Sequence, residues 1–315
     1  MANQAVLLLA HGTPETVEQI PEYLRHVTGG RSLPPEVIEE IQRRYALIGH
    51  SPLTEITLEQ ARLVERELAS NGQPVPVYVG MRNWHPYIAD VVRQMRADGV
   101  VEAAVLCMAP QNSRTSVGLY RRALEAAVAG EAAGLRIDFT EGWAQHPLLI
   151  AAFTERLHPA WLRLSAETGA PVPVLFTAHS VPTRTIQATG GQPADPYAED
   201  ARRTAELVAA QMPEIPQWFF AFQSQGASGG PWLGPTVEET LESIAAAGAK
   251  AVLLQPIGFL CDHVEILYDV DIFFREFARK LNLRLERPES LNASLPLAKA
   301  IADLARQGLK RLSRP

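Results

Sequence analysis

The stretch Val174-Leu-Phe-Thr-Ala-His-Ser-Val-Pro182 decides how this chain is read. An apolar run without regular polar alternation marks a strand covered on both faces, as in a parallel sheet. The run stops at Ala178-His179-Ser180, and Pro182 breaks regular structure. The imidazole of His179 therefore stands at the carboxyl edge of its strand, where open α/β sheets build their sites. A second run, Ala251-Val-Leu-Leu-Gln255, leads into Gly258-Phe-Leu-Cys-Asp-His-Val-Glu-Ile-Leu-Tyr-Asp269. An imidazole with a carboxylate-rich partner suits a base that takes protons and carboxylates that handle a metal cation or relay protons.

Outward from this stretch, apolar runs predict strands at about 5–9, 75–80, 101–108, 135–140, 172–177, 217–222, 250–255 and 283–286. Segments of helical period fill most gaps, including about 35–47, 54–70, 86–97, 116–129, 197–211, 235–247 and 292–312. Strands separated by amphipathic helices argue a mainly parallel sheet with both faces covered. The halves echo each other: Ala10-His-Gly-Thr-Pro14 follows the first strand as Ala178-His-Ser-Val-Pro182 follows the fifth. Likewise Gly99-Val-Val-Glu-Ala-Ala-Val-Leu-Cys-Met-Ala-Pro110 resembles Gly248-Ala-Lys-Ala-Val-Leu-Leu-Gln-Pro256. The expected organisation is two similar α/β domains, 1–160 and 161–315, dividing near Pro171 and Pro173, with the last helix free to pack back on the first domain. Duplication would set the two strand-end histidines facing each other across an interdomain cleft.

Bulk properties narrow the function. The 315 residues are 47% hydrophobic, enough for one large core or two ordinary ones. A net charge of -6 with scattered basic residues gives no footprint for nucleic acid. Two cysteines, Cys107 and Cys261, form no disulfide framework and no CxxC pair, so a cysteine-ligated zinc or iron–sulfur site would need a second subunit. No apolar run approaches the roughly 20 residues of a membrane helix, and the amino terminus enters a strand without a basic flank. The expectation is a soluble, cytoplasmic protein. Dinucleotide, P-loop and zinc-protease signatures are absent.

Several residues could carry chemistry. A lone histidine is more often structural, but the strand-end position favours function for His179. His11 shares that setting, and Gly12 after it permits a tight turn and close approach of a flat ligand. Continued as a helix, Glu265 and Asp269 lie on one face at i and i+4, a like-charge pair that a cation or shared proton would repay. Dipole compensation at a helix start explains Asp262 well and Asp269 poorly. Phe222-Gln-Ser-Gln-Gly226 and Gly229-Gly-Pro-Trp-Leu-Gly-Pro235 would give a polar wall with Trp232 as an aromatic lid, or plain loop punctuation. Arg31, Arg44, Arg82, Arg114 and Arg121 fall near expected loops and suit carboxylate or phosphate capture.

Taken together these segments resemble ferrochelatase, the enzyme that inserts ferrous iron into a porphyrin in haem synthesis. The resemblance spans nearly the whole chain. It rests on Gly12-Thr-Pro14, Ser51-Pro-Leu53, Arg82-Asn-Trp84 with Pro86, Ala178-His-Ser-Val-Pro182, Gln223-Ser224, Pro231-Trp-Leu-Gly-Pro235 and Gly258-Phe…Asp262-His-Val-Glu265. It implies two Rossmann-like, chelatase-like domains, each a mainly parallel sheet flanked by helices, with a porphyrin cleft between them. His179 and Glu265 would be the catalytic and metal-handling pair, either one delivering iron or removing the two pyrrole protons. Asp262 and Asp269 would relay protons or metal. The porphyrin would meet His11, Thr13, Arg31, Arg44, Ser51, Arg82, Arg114 and Tyr120 from the first half, and Ser180, Gln223 and Trp232 from the second. Fe(II) and porphyrin are then substrates, with no prosthetic group and no iron–sulfur cluster. A monomer without a stable membrane anchor is expected, with the next haem-pathway enzyme as a protein partner.

The stretch from Arg31 to Ser51 and Arg82-Asn-Trp-His-Pro86 look more like the branch of the family that metalates coproporphyrin III, whose four propionates suit several arginines; protoporphyrin IX is the alternative. Three positions depart from that pattern. His11 stands where the branch often has tyrosine, Thr28-Gly29 replaces a pair that is often basic, and Phe273 falls where some relatives continue a line of carboxylates. The rival readings are a chelatase for another tetrapyrrole such as sirohydrochlorin, a non-catalytic porphyrin or haem carrier, and a plain nucleotide-binding α/β protein.

Overall fold

The unbroken apolar runs become parallel strands because both faces of each sheet are covered. The computed structural model describes residues 3–70, 72, 74–226 and 229–314. Two compact units emerge, Met1–Trp143 with Asn292–Pro315, and Ala144–Leu291. In the first, β1 (Gln4–Ala10), β2 (Val77–Met81), β3 (Glu102–Cys107) and β4 (Arg136–Thr140) alternate with α1 (Ile20–Val27), α2 (Pro35–Ile48), α3 (Leu53–Ser70), α4 (Ile88–Ala97) and α5 (Val117–Glu131). The strands pair parallel in the order β2-β1-β3-β4.

The second unit contains β5 (Val174–His179), β6 (Trp218–Gln223), β7 (Ala251–Pro256) and β8 (Arg284–Glu286), again parallel, in the order β6-β5-β7-β8. Its helices are α6 (Pro147–Thr168), α7 (Thr183–Ile186), α8 (Tyr197–Ala210), α9 (Val237–Ala246), α10 (Val264–Leu267) and α11 (Arg275–Lys280). The same strand order in both sheets is the structural counterpart of the echo between the halves.

Burial explains the strand composition. Leu7 and Leu9 of β1 pack with Val92, Met95 and Leu124 of α4 and α5, while Val6 and Leu8 on the other face are equally buried. That other face is covered by α3 and by the final helix, α12 (Leu295–Leu312), which lies against β3 and β4. Each leucine buried this way contributes about 1.5–3 kcal/mol relative to exposure. In the second sheet Leu175, Val252 and Leu254 pack with Val237, Leu241 and Ile244 of α9 and with Ile266, Val270 and Phe274.

Two expectations need correction. The division at 160/161 falls inside α6, which runs unbroken through Pro159. Interior proline removes a helix donor. Here Leu149, Phe153, Leu157, Trp161 and Leu164 form a buried stripe at helical spacing that holds the helix together. The units part instead at Trp143/Ala144, and α12 belongs to the first one. Second, the expected single helix through Glu265 and Asp269 is broken up. A π-helical turn over Asp269–Phe274 separates α10 from α11, with Phe273 N–H donating to Tyr268 O at 2.9 Å across five residues. Among the described residues, no helix is long and apolar enough to cross a membrane.

The strand order sets where a site belongs. In the second sheet the chain goes from β5 outward to β6, then returns to β7 on the other side, so the switch point lies between the carboxyl ends of β5 and β7. The exit of β7 presses on the end of β5: Ile257 and Gly258 N–H both donate to Thr177 O, at 2.8 and 3.2 Å. A Cβ on Gly258 would sit 2.9 Å from Cα and Cβ of Ala178, closer than real carbon atoms approach. Gly258→Ala should therefore lower stability by about 1–3 kcal/mol through overpacking, read as a drop in the urea midpoint at unchanged slope; a midpoint equal to the wild type would contradict this packing.

Candidate active site

His179 closes β5, with its ring anchored on both nitrogens. Nδ1 donates to the carbonyl oxygen of Ser180, and Nε2 lies 3.1 Å from Glu265 Oε1. A carbonyl oxygen only accepts, so Nδ1 carries a proton, and a hydrogen bond from Nε2 to the carboxylate needs a second proton. The imidazole is therefore held as imidazolium against a carboxylate. The phenol of Tyr197, at the start of α8, donates to the main-chain oxygen of His179 at 2.8 Å. Burial, then the charge of Glu265, push that phenol above its ordinary value, so it remains a donor.

Glu265 lies in α10, on the segment that leaves β7. Its Oε1 faces His179 and its Oε2 lies 3.5 Å from His263 Nε2. His263 Nδ1 donates to Cys261 O at 3.0 Å, which leaves Nε2 for the carboxylate. The ring of Phe259 packs against both imidazoles, with centroids 6.3 Å from His179 and 4.8 Å from His263. A third of each side chain of the His179–Glu265 pair reaches the surface of the chain, 33% and 32%.

Burial alone would push the His179 imidazolium down, but the charge and hydrogen bond of Glu265, the Ser180 carbonyl and the charge of Asp269 together lift it to about 9. Burial would likewise raise Glu265, yet the charge and hydrogen bond of His179, with His263, hold it well below the usual carboxylate range. Among the described residues, no group of three or more His, Cys, Asp or Glu side chains is arranged to hold a metal ion. Two donors at a charge pair form a place where a cation and a proton compete, since each needs the same lone pairs.

A buried amide aligns the pair. Gln223 accepts from Thr177 Oγ1 at 2.7 Å and donates to Glu265 O at 3.1 Å and to Ser224 Oγ at 3.3 Å. Ser224, in the left-handed region at φ 62°, donates to Asp269 Oδ2. Gln223 thus holds the main chain of Glu265, and Asp269 connects to Gln223 through Ser224. Ser180 is fully buried, its N–H bonded to Gln223 O at 2.6 Å and its hydroxyl to Leu233 O at 2.9 Å. Leu233 N–H donates back to Val181 O, and Trp232 bridges Pro182, so the glycine-rich loop is stitched along the exit of β5. Asp262 has other partners: it accepts from Ser290 Oγ at 2.7 Å and pairs with Arg287 at 3.1 Å.

The remaining expected residues belong to the first unit. His11 follows β1 with Asn83 Nδ2 at 3.1 and 3.2 Å from its two ring nitrogens, and meets the Tyr23 ring edge-on. Gly12 makes the tight turn and also accommodates a neighbouring side chain. At φ 81° its missing Cβ leaves room for Trp84, whose Cβ and backbone nitrogen would stand 2.9 Å from one. Thr13 and Tyr45 share a buried hydrogen bond of 3.1 Å. Ser51, before α3, is buried, and its hydroxyl has no hydrogen-bond partner among the described residues. Arg82 lies over the Tyr120 ring at 5.6 Å, and Arg114 is half-buried before α5. Arg44 pairs with Glu40 at 2.9 Å, and exposed Arg31 donates to Thr28 O at 3.3 Å. Arg121 is committed to Glu141 at 2.7 Å and to the face of Phe139. The expected list missed His263, Tyr197 and Ser224. His263 could have been found, because it lies two residues from Glu265 in the same Asp-His-Val-Glu stretch; Tyr197 gives no local signal.

Comparisons with known proteins point to one family. A family model described as ferrochelatase matches residues 3–309. A ferrochelatase of Acidobacterium capsulatum is 56% identical, covering 98% of this chain and 95% of its own length. A coproporphyrin III ferrochelatase of Mycolicibacterium vanbaalenii is 35% identical over 96% of this chain and 89% of its own. Among solved structures, the sirohydrochlorin chelatase SirB from Bacillus subtilis subspecies spizizenii overlays with a TM-score of 0.55 at 13% identity, covering 98% of this chain and 95% of that one. The last likeness concerns fold alone.

The charge pair has a pH signature. With its folded value raised, His179 contributes stability that is fully present below 6.5 and is lost as pH rises through about 9. With its folded value depressed, Glu265 contributes stability present above 4.5 and lost as pH falls below it. The stability gap between wild type and His179→Gln should thus be widest just below pH 6.5 and shrink towards 9; a gap that stays constant across that interval would rule the pairing out.

Proposed function

The chain belongs to the ferrochelatase family, and on that footing we propose that it inserts Fe(II) into coproporphyrin III, with the His179–Glu265 pair as the metalation centre. The observation that carries the reading is the pair itself, at 3.1 Å on the switch point of the second sheet. Metalation removes two pyrrole protons as a dication enters, so the site must exchange protons for a metal. In the resting pair His179 already holds both ring protons and cannot accept another. A dication arriving at Glu265 repels the imidazolium, which then gives up its Nε2 proton to solvent at the exposed third of the pair. The freed Nε2 takes the two pyrrole protons in turn, passing the first to solvent before it accepts the second, while Nδ1 stays tied to the Ser180 carbonyl. Glu265 accordingly handles the metal and His179 the protons. Asp269, whose negative charge acts on the His179 ring, supports this proton relay as the next carboxylate along the segment. Asp262, held by Arg287 and Ser290, has no part in that relay.

Coproporphyrin is favoured by the arginines of the first unit. Arg31, Arg44, Arg82 and Arg114 provide cations for a substrate with four propionates, and Ser51 offers a buried hydroxyl with hydrogen-bonding capacity to spare. A relative at 35% identity carries the coproporphyrin name. The test is anaerobic incubation with ferrous iron and either coproporphyrin III or protoporphyrin IX, following the loss of porphyrin fluorescence. Coproporphyrin should be metalated faster, and His179→Ala should lose about 10²–10⁴-fold in rate, the usual worth of a positioned base. A protoporphyrin preference would overturn the substrate, and undiminished turnover in the variant would overturn the role of the pair.

A further inference from the structure

A buried cation sits behind the metalation centre and takes no part in the chemistry described above. Arg287, just after β8, has only 10% of its side chain exposed. Its guanidinium grips Asp271 with two parallel bonds, Nε to Oδ1 at 2.9 Å and Nη2 to Oδ2 at 2.7 Å. Nη2 also reaches Asp262 Oδ1 at 3.1 Å, while Nη1 donates to Pro288 O at 3.2 Å and lies 3.4 Å from Ser290 Oγ. Ser290 in turn donates to Asp262 at 2.7 Å. The two carboxylates bracket the functional segment. Asp262 immediately precedes His263 and stands three residues before Glu265; Asp271 stands two residues after Asp269.

We infer that Arg287 is a positioning residue whose bridge between Asp262 and Asp271 fixes the span carrying His263, Glu265 and Asp269 against the end of β5. The span needs such a fixture. One short helical turn and a π-helical turn give it few regular hydrogen bonds of its own. Glu265 is reached from outside its own segment by His179 and by one amide hydrogen of Gln223. Tying both ends to one rigid, planar guanidinium confines the carboxylate to the narrow range in which it can meet His179. Only arginine supplies a fork for Asp271 together with a further N–H for Asp262; lysine supplies a point charge. The same contacts make Asp262 a strut of this fixture.

The inference rests on the metalation reading, and the test separates the two. Insertion kinetics and hydrogen–deuterium exchange are measured on full-length wild type and Arg287→Lys. The bridge predicts kcat lower by about 10–100-fold, the scale of a small misplacement of reacting groups, with KM for porphyrin unchanged. Exchange should quicken across 262–274 and stay as in wild type across β5. Guanidinium ion, added well below denaturing concentrations to Arg287→Ala, should restore kcat where ethylammonium does not. Should the alanine variant fail to fold, Asp271→Asn carries the same expectation of lowered kcat at constant KM. Unchanged exchange over 262–274 in Arg287→Lys overturns the inference whatever the activity, and so does an unchanged kcat in an active enzyme. A wild type that metalates neither porphyrin contradicts the metalation reading, and the exchange result still decides the bridge.

Discussion

The attraction between the His179 imidazolium and the Glu265 carboxylate is the interaction on which the second unit is organised. Two charges at 3.1 Å, each only a third exposed, repay their partial desolvation only if both partners are held in register. Every neighbouring contact serves that register: the Ser180 carbonyl fixes one ring nitrogen, Tyr197 fixes the strand end, and Gln223 fixes the backbone of Glu265. The same pair explains how a site can trade protons for a metal. Its resting state is charge-balanced, and an incoming dication unbalances it.

Parallel topology is what brings the partners together across 86 residues. Sequential strands that wind outward and then return leave a crevice between β5 and β7, and both partners lie at its rim. Gly258 lets the β7 exit touch the β5 end, and that contact starts the segment at the right height for Glu265 to meet His179. Behind it, the Arg287 bridge completes a frame whose front is the charge pair and whose back is a buried guanidinium.

Much of this was legible in the sequence, and the reasons differ by element. The central strands β1, β3, β5 and β7 were visible because burial on both faces leaves an unmistakable apolar run. The edge strands β4 and β8 carry charged residues and were read from short apolar stretches between helices. His179 and Glu265 were visible because strand ends and an Asp-His-Val-Glu turn are chemically conspicuous. What escaped depends on contacts distant in sequence. The division expected at 160/161, near Pro171 and Pro173, moved because α6 runs unbroken through Pro159 to Thr168, held by a buried stripe that spans 160/161. The π-helical turn gives no local signal, and Asp271 within it is held by Arg287, which lies beyond another helix and strand. At Gly12 the tight turn was legible, while the packing of Trp84, on a different strand's exit, against the place a Cβ would occupy was not.

The most direct test of the account is the titration of the His179 ring in the unliganded protein, followed by nuclear magnetic resonance of labelled histidine, alongside Glu265→Gln. Coupling to the carboxylate predicts a midpoint near 9 in the wild type and a fall towards the ordinary histidine range of about 6.5 once the charge of Glu265 is removed. A wild-type midpoint already in that range, unmoved by the substitution, would contradict it.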